Sequence, residues 1–266
     1  MPGKAKNRMN TFKKLLAEFI GTFVFLTAIT GSAASGNTLK QVALALALGL
    51  MILTFGPVSG GHFNPAVSLF FFAKKSINFG TLVGYIAAQL FGAYVGTATG
   101  FALWQRELVP VTGTNDVTAP LFLGEVIATA GLVFIIAILV KNKQSNLIWI
   151  SVATWVFAAG TFTVTGAMAN PAVTFGLLFA GFGGGSVTSL IVAQLLGLVV
   201  TILLLMVLDA KGSAKKKPAE KVLVSATPAA KTAAKKSAAK KTVAKKPAAK
   251  KPAAKKPAAR KVAGRK

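Results

Sequence analysis

The 266-residue sequence predicts an all-α membrane protein with six transmembrane helices and two re-entrant half-helices, built as an inverted internal repeat. Three observations carry that prediction. Hydrophobic residues make up 53% of the chain and its mean hydropathy is +0.62, too apolar for a soluble domain of this length. Six apolar runs, at about residues 11–33, 40–57, 80–104, 120–141, 147–165 and 186–208, approach or exceed the ~20 residues a spanning helix needs. The triplet Asn-Pro-Ala occurs twice, at Asn64-Pro65-Ala66 and Asn170-Pro171-Ala172, and each copy sits beside one of these runs.

The first run follows a basic N-terminal segment, residues 1–10, carrying Lys4, Lys6 and Arg8, with Lys13 and Lys14 just beyond. Basic residues before an apolar stretch imitate a signal peptide, but this stretch has spanning length and many similar ones follow it, so it reads as the first span. The second run leads through a Gly- and Ser-rich stretch, 56–63, to the first triplet. Asparagine directly before proline is a helix start: the side chain caps, and proline supplies its fixed backbone angle at the first helical position. The apolar stretches that follow the triplets, about 64–73 and 170–181, are short. At 1.5 Å per residue, about ten residues reach half of a ~30 Å hydrocarbon core. Two such half-helices entering from opposite faces meet near the midplane and aim two positive dipole ends at whatever lies between them. The loops before them, 56–63 and 161–169, place non-helical backbone at that depth, which requires packed protein or a wet cavity around it. On the third span, Gly92, Gly96 and Gly100 make overlapping Gly-x-x-x-Gly steps, the pattern of close helix packing. Gln89 and Gln194 are polar within spans and are expected to hydrogen-bond between helices.

The two halves repeat. Ala17-Glu18-Phe19 returns loosely as Gly124-Glu125-Val126, and Gln89-Leu90-Phe91-Gly92 returns as Gln194-Leu195-Leu196-Gly197. The triplets share nearly the same offset, which is the mark of duplication. Repeats at about 11–104 and 120–208 contain three spans each. An odd number inverts the second copy, the layout in which a solute site lies at the repeat interface. In this arrangement the N-terminus, Lys74, Lys75, Lys141, Lys143 and the C-terminal tail share one side. The other side has Lys40 and Arg106 as basic residues, beside Glu107 and Asp116. The positive-inside rule then puts both termini of this multi-pass protein in the cytoplasm, with the cell membrane as the expected location.

Most of the net charge of +25 belongs to the tail, 209–266. From Lys235 it repeats in five-residue steps ending in three copies of Lys-Lys-Pro-Ala-Ala. Recurrent proline and dense charge predict disorder. Its composition resembles the tails of linker histones, and three readings stand open: a solvated tail, attraction to anionic lipid, and phosphate-driven binding of nucleic acid. Cysteine is absent, which excludes disulfides, thiolate metal sites and cysteine nucleophiles. No cofactor, metal or enzymatic activity is expected.

The segments Ser59-Gly60-Gly61-His62-Phe63-Asn64-Pro65-Ala66-Val67-Ser68 and Thr165-Gly166-Ala167-Met168-Ala169-Asn170-Pro171-Ala172 resemble the two signature loops of the aquaporin, or major intrinsic protein, family. Ala17-Glu18-Phe19-Ile20-Gly21 and Ala88-Gln89-Leu90-Phe91-Gly92 resemble that family's first and third helices. The resemblance covers roughly residues 10–208, a channel domain of 11–208. It implies a homotetramer in the lipid bilayer with one passive pore per subunit for water and small neutral solutes. It implies that Asn64 and Asn170 donate amide hydrogens at the pore centre, and that Glu18 and Glu125 accept hydrogen bonds from the re-entrant loops. His62 is either structural or a pore-lining, pH-sensing donor. Family members usually carry arginine directly after the second triplet, where this chain has Val173. Carry-over without gaps puts the other constriction positions at Leu44, Ala158 and Ala167, with Leu48 a rival for Leu44. A valine here resembles the plant vacuolar branch of the family, and an all-apolar constriction implies a wider filter than one for water alone. Glycerol-conducting relatives place aspartate where Thr174 stands, so water is expected first, with glycerol, urea, ammonia and hydrogen peroxide as further candidates. The rival readings are a secondary transporter and a membrane-anchored nucleic-acid tether acting through the tail.

Overall fold

The computed structural model describes residues 2–36, 38–109 and 116–213. The chain separates into two units, 1–217 and 218–266. The second unit, and with it almost all of the tail, its expected disorder and its lipid or nucleic-acid partners, lies outside the described residues. The helices are α1 (Pro2–Ala34), α2 (Lys40–Ser59), α3 (Pro65–Ala73), α4 (Phe79–Ala102), α5 (Ala119–Lys141), α6 (Ile148–Phe162), α7 (Pro171–Leu177) and α8 (Gly184–Ser213), with a 3-10 turn, Ser145–Leu147, leading into α6. Six are long and apolar enough to cross a membrane, and α3 and α7 are the short ones. Among the described residues β-structure is confined to one isolated bridge, Val109 with Ala180. It ties the loop after α4 to the chain leaving α7.

Three boundaries differ from the sequence reading. Helix α1 starts at Pro2, so residues 2–10 continue the helix instead of preceding it, and α8 runs through Ser213, into the segment assigned to the tail. Helix α7 stops at Leu177, short of residue 181. Beyond it the N–H groups of Leu178, Phe179 and Ala180 bond three residues back, and Phe182 N–H closes onto Leu177 O across Gly181 at φ 95°. A 3-10 tightening followed by a left-handed glycine ends a helix whatever the hydropathy of the next residues.

The repeat is built from equivalent packings, α1 on α4 and α5 on α8. A Cβ added at Gly92 would stand 2.6 Å from Phe19 O, and one at Gly197 would stand 2.6 Å from Val126 O. Only the absence of a side chain lets these backbones approach, as membrane helices require where lipid supplies no hydrophobic drive for association. Gly96 extends the contact, with Phe23 O 2.5 Å from its would-be Cβ. In the second half the equivalent residue is Thr201, whose hydroxyl donates to Ala130 O at 2.8 Å. The interior is unusually polar: Glu18, Gln89, Glu125 and Gln194 are wholly buried, while Leu46, Leu50, Leu53, Phe91, Leu203 and Met206 are exposed on the outer surface. That inversion suits a hydrocarbon solvent, in which apolar side chains face out and every polar group needs an internal partner.

Candidate functional site

The site grows from the two helix starts. Asn64 and Asn170 have extended backbones, and each Oδ1 accepts from the N–H two residues on, Ala66 at 2.8 Å and Ala172 at 2.9 Å. The capping expected from Asn-Pro is therefore present in both half-helices. Each Nδ2 then reaches across to the opposite loop: Asn64 donates to Ala169 O at 2.8 Å, and Asn170 donates to Phe63 O at 2.9 Å. The acceptors are the residues that immediately precede the partner asparagine. Both sit at φ 47°, a left-handed conformation rare for residues with a side chain, and such conformations persist only where surrounding structure over-determines them. The two capping groups thus clamp each other. Each carboxamide has two N–H groups, so the clamp leaves one on each asparagine for anything between them. Both asparagines line a narrow cavity of about 40 Å³ together with Gly60, Gly61, His62, Leu48 and Ile52.

The loops are held from behind by the two buried carboxylates. Glu18 Oε1 accepts from Ser59 Oγ at 2.6 Å and His62 N–H at 2.9 Å, and its Oε2 accepts from Phe63 N–H at 2.6 Å and Gln89 Nε2 at 2.9 Å. Glu125 accepts from Met168 N–H at 3.0 Å, Ala169 N–H at 2.8 Å and Gln194 Nε2 at 2.6 Å. Four donors converge on one carboxylate and three on the other. This is how a carboxylate is tolerated inside a membrane protein, and it engages the non-helical backbone that would otherwise lack partners. Gly21 supplies the remaining room, because a Cβ there would overlap the Phe63 ring.

Ser68 and Thr174, each four residues after its asparagine, complete the pattern. Each hydroxyl donates to the asparagine carbonyl, at 3.1 and 3.2 Å, and receives a glutamine amide, from Gln89 at 3.0 Å and Gln194 at 2.7 Å. The sequence signal for them is the hydroxyl residue after each Asn-Pro-Ala-Val, whose role spacing alone does not disclose. His62 occupies the position that Met168 occupies in the other half. Its Nδ1 lies 3.1 Å from Ser68 Oγ, as Met168 Sδ lies 3.5 Å from Thr174 Oγ1. The imidazole is stacked on Phe71, with ring centroids 4.7 Å apart, and set edge-on to Tyr85.

A wider cavity, about 420 Å³, lies at the end of the bundle opposite the start of α1. Leu44, Ala167 and Val173 line it together, while Leu48 lines the narrow cavity instead. Ala158 is not among the residues that line either one, and α6 presents Gly160 and Thr161 to the wide cavity. Gly160 and Thr161 lie in the last turn of α6, which ends at Phe162. A larger groove, about 920 Å³ between α5 and α8, holds none of the motif residues. Among the described residues no group of three or more His, Cys, Asp or Glu side chains is placed to share a metal ion.

The family model "Major intrinsic protein" matches residues 5–148. Among curated proteins, the chain is 32% identical over 209 residues to the aquaglyceroporin AqpS of Rhizobium meliloti (strain 1021), covering 73% of this chain and 88% of the relative. It is 33% identical over 192 residues to glycerol uptake facilitator protein-like 6 of Lactiplantibacillus plantarum, covering 66% and 87%. Among solved structures, the aquaglyceroporin from Plasmodium falciparum superposes with a TM-score of 0.58 at 23% identity, covering 72% of this chain and 93% of that one. This last likeness is one of fold.

Proposed function

The chain belongs to the major intrinsic protein family, and we propose that its pore carries small neutral solutes of glycerol's size as well as water. The protein is a passive membrane channel for water and small solutes. The finer reading concerns its filter. The path runs through the wide cavity, past Leu44, Ala167 and Val173, and then between the two asparagines. The observation that carries the proposal is the apolar wall at Val173, 2% exposed and buried into the cavity lining where a charged, narrowing side chain is usual for the family. The glycerol-linked names of two relatives support the same direction.

Selectivity then divides between two places. At the asparagines, two half-helix N-termini set positive potential at the centre and two fixed amide hydrogens orient each passing oxygen. That arrangement disfavours cations and interrupts a proton-conducting water file without any charged side chain. At the wide cavity, the apolar side chains of Leu44, Ala167 and Val173 leave room for neutral molecules larger than water. A coupled transporter would need ionisable residues free to exchange protons or ions at the midplane. Glu18 and Glu125 are instead engaged by loop donors.

The same proposal includes a homotetramer in the plasma membrane with both termini cytoplasmic. Family likeness supports the assembly, and the charge asymmetry supports the orientation: Lys74 follows α3, and Lys141 at the end of α5 pairs with Asp209 on α8, which puts basic residues on the side where α1 begins. The test is isosmotic glycerol exchange in proteoliposomes followed by light scattering. Glycerol-driven reswelling about tenfold faster than in protein-free vesicles is expected. Fast water flux with glycerol entry at the bare-lipid rate would overturn the solute reading.

A further inference from the structure

Gln41, one turn before Leu44 in the first turn of α2, belongs to no motif, yet it lines the wide cavity. The cavity lining includes Gln41, and its Oε1 is buried with no hydrogen-bond partner among the described residues. The carboxamide is wedged against two glycines. A Cβ on Gly160 would stand 2.5 Å from Oε1, and one on Gly166 would stand 3.3 Å from Nε2. Gly160 is one of the two residues that α6 presents to the cavity, and its missing side chain is the space the glutamine uses.

Lys40, the preceding residue, also lines the cavity and is exposed, and the remaining polar side chains on this wall are engaged by the backbone. Thr161 and Thr163 hydroxyls donate to Ala158 O at 2.6 Å and Ala159 O at 2.8 Å, and Thr165 Oγ1 receives Ala167 N–H at 3.2 Å. Leu44 and Val173 offer no polar atom. Gln89 Oε1, Gln194 Oε1, Thr97 Oγ1 and Thr129 Oγ1 are likewise buried without partners among the described residues, but none of those four residues lines the wide cavity; Gln41 does, which puts its unpaired acceptor next to the cavity contents. Water can keep hydrogen bonds to its neighbours while passing an apolar wall. A polyol or amide wide enough to fill that space sheds those neighbours and needs a wall partner instead.

We infer that Gln41 is a specificity-determining residue of the outer filter, offering its carboxamide to the hydroxyl or amide hydrogens of a neutral solute seated between Gly160 and Val173. This rests on the channel reading and adds a polar side chain to a constriction whose residues Leu44, Ala167 and Val173 are apolar. A change of side-chain rotamer that moves the carboxamide out of the space above Gly160 and Gly166 presents it to the solute.

The experiment is stopped-flow light scattering on proteoliposomes of the full chain, wild type, Gln41→Met and Gln41→Leu, with water, glycerol and urea as separate permeants. Methionine keeps the length, and leucine changes the shape. In both variants glycerol and urea permeability should fall about fivefold or more while water permeability stays within about twofold, the pattern of a lost solute hydrogen bond. Retained water flux also shows that the variants fold. Unchanged ratios in both variants overturn the inference. A shift in only one variant, or an equal fall for all three permeants, makes the effect steric and overturns it too. Absence of water flux in the wild type removes the channel reading beneath it, whereas wild-type solute flux with unchanged variant ratios removes this inference alone.

Discussion

At the scale of single residues, each asparagine has three tasks that conflict unless the geometry divides them. Its oxygen caps a half-helix, one amide hydrogen clamps the opposite loop, and the other is left for the lumen. Each asparagine therefore has one amide hydrogen, not two, to give to a solute. Val173 is the residue whose replacement discriminates best. Val173→Arg adds charge and bulk to the wide cavity, and glycerol permeability should drop by about tenfold, with a smaller loss for water. An unchanged glycerol-to-water ratio in stopped-flow exchange would show that this side chain does not bound the path. His62 invites a gating hypothesis, but its ring is enclosed by Phe71, Tyr85 and Ser68. Protonation there would bury an unpaired charge. Water flux is expected to be constant between about pH 5 and pH 8, and a titration step within that window would restore the gate.

At the scale of elements, the half-helices depend on supports that lie on other helices. Glu18→Ala removes the acceptor for four donors and Glu125→Ala the acceptor for three. With about 1–3 kcal/mol for each donor left buried and unpaired, both variants should lose several kcal/mol, and Glu18→Ala more than Glu125→Ala. Thermal unfolding in detergent checks the order, and equal midpoints to wild type would contradict it. Gly197→Leu attacks the repeat elsewhere, where Val126 O leaves no room for a side chain. It should destabilise the α5–α8 pair by more than about 2 kcal/mol, read by the same melt. Much of this level was legible in the sequence. Apolar length set the spans, Asn-Pro set the starts of α3 and α7, and the glycine ladder marked the third span for close packing without naming α1 as its partner. What stayed hidden depended on backbone detail: the early end of α7 at a left-handed glycine, and the choice of Gly160 over Ala158 on α6. Gln41 was illegible for a different reason. It sits at the head of an apolar run like any polar flanking residue, and only the space above Gly160 distinguishes it.

At the scale of the whole molecule, duplication explains why one short motif specifies so much. Each half supplies a carboxylate, a glutamine, a hydroxyl and an asparagine, and neither half is complete, because each asparagine is clamped by the carbonyl that precedes its counterpart. The polar chemistry therefore lies on the pseudo-symmetric seam, surrounded by apolar surface that faces lipid. The halves diverge where their roles do: His62, on the narrow cavity, against Met168, on the wide one, and Gly96 against Thr201 in the helix seam. The central claim is that this seam is a passive conduit. The most direct test is the osmotic shrinkage rate of proteoliposomes carrying the full chain, measured across a series of gradient sizes. A permeability about tenfold or more above protein-free vesicles, with water flux rising linearly with the gradient and no saturation, is the predicted result. A rate equal to that of bare lipid, or one that saturates as the gradient grows, would contradict it.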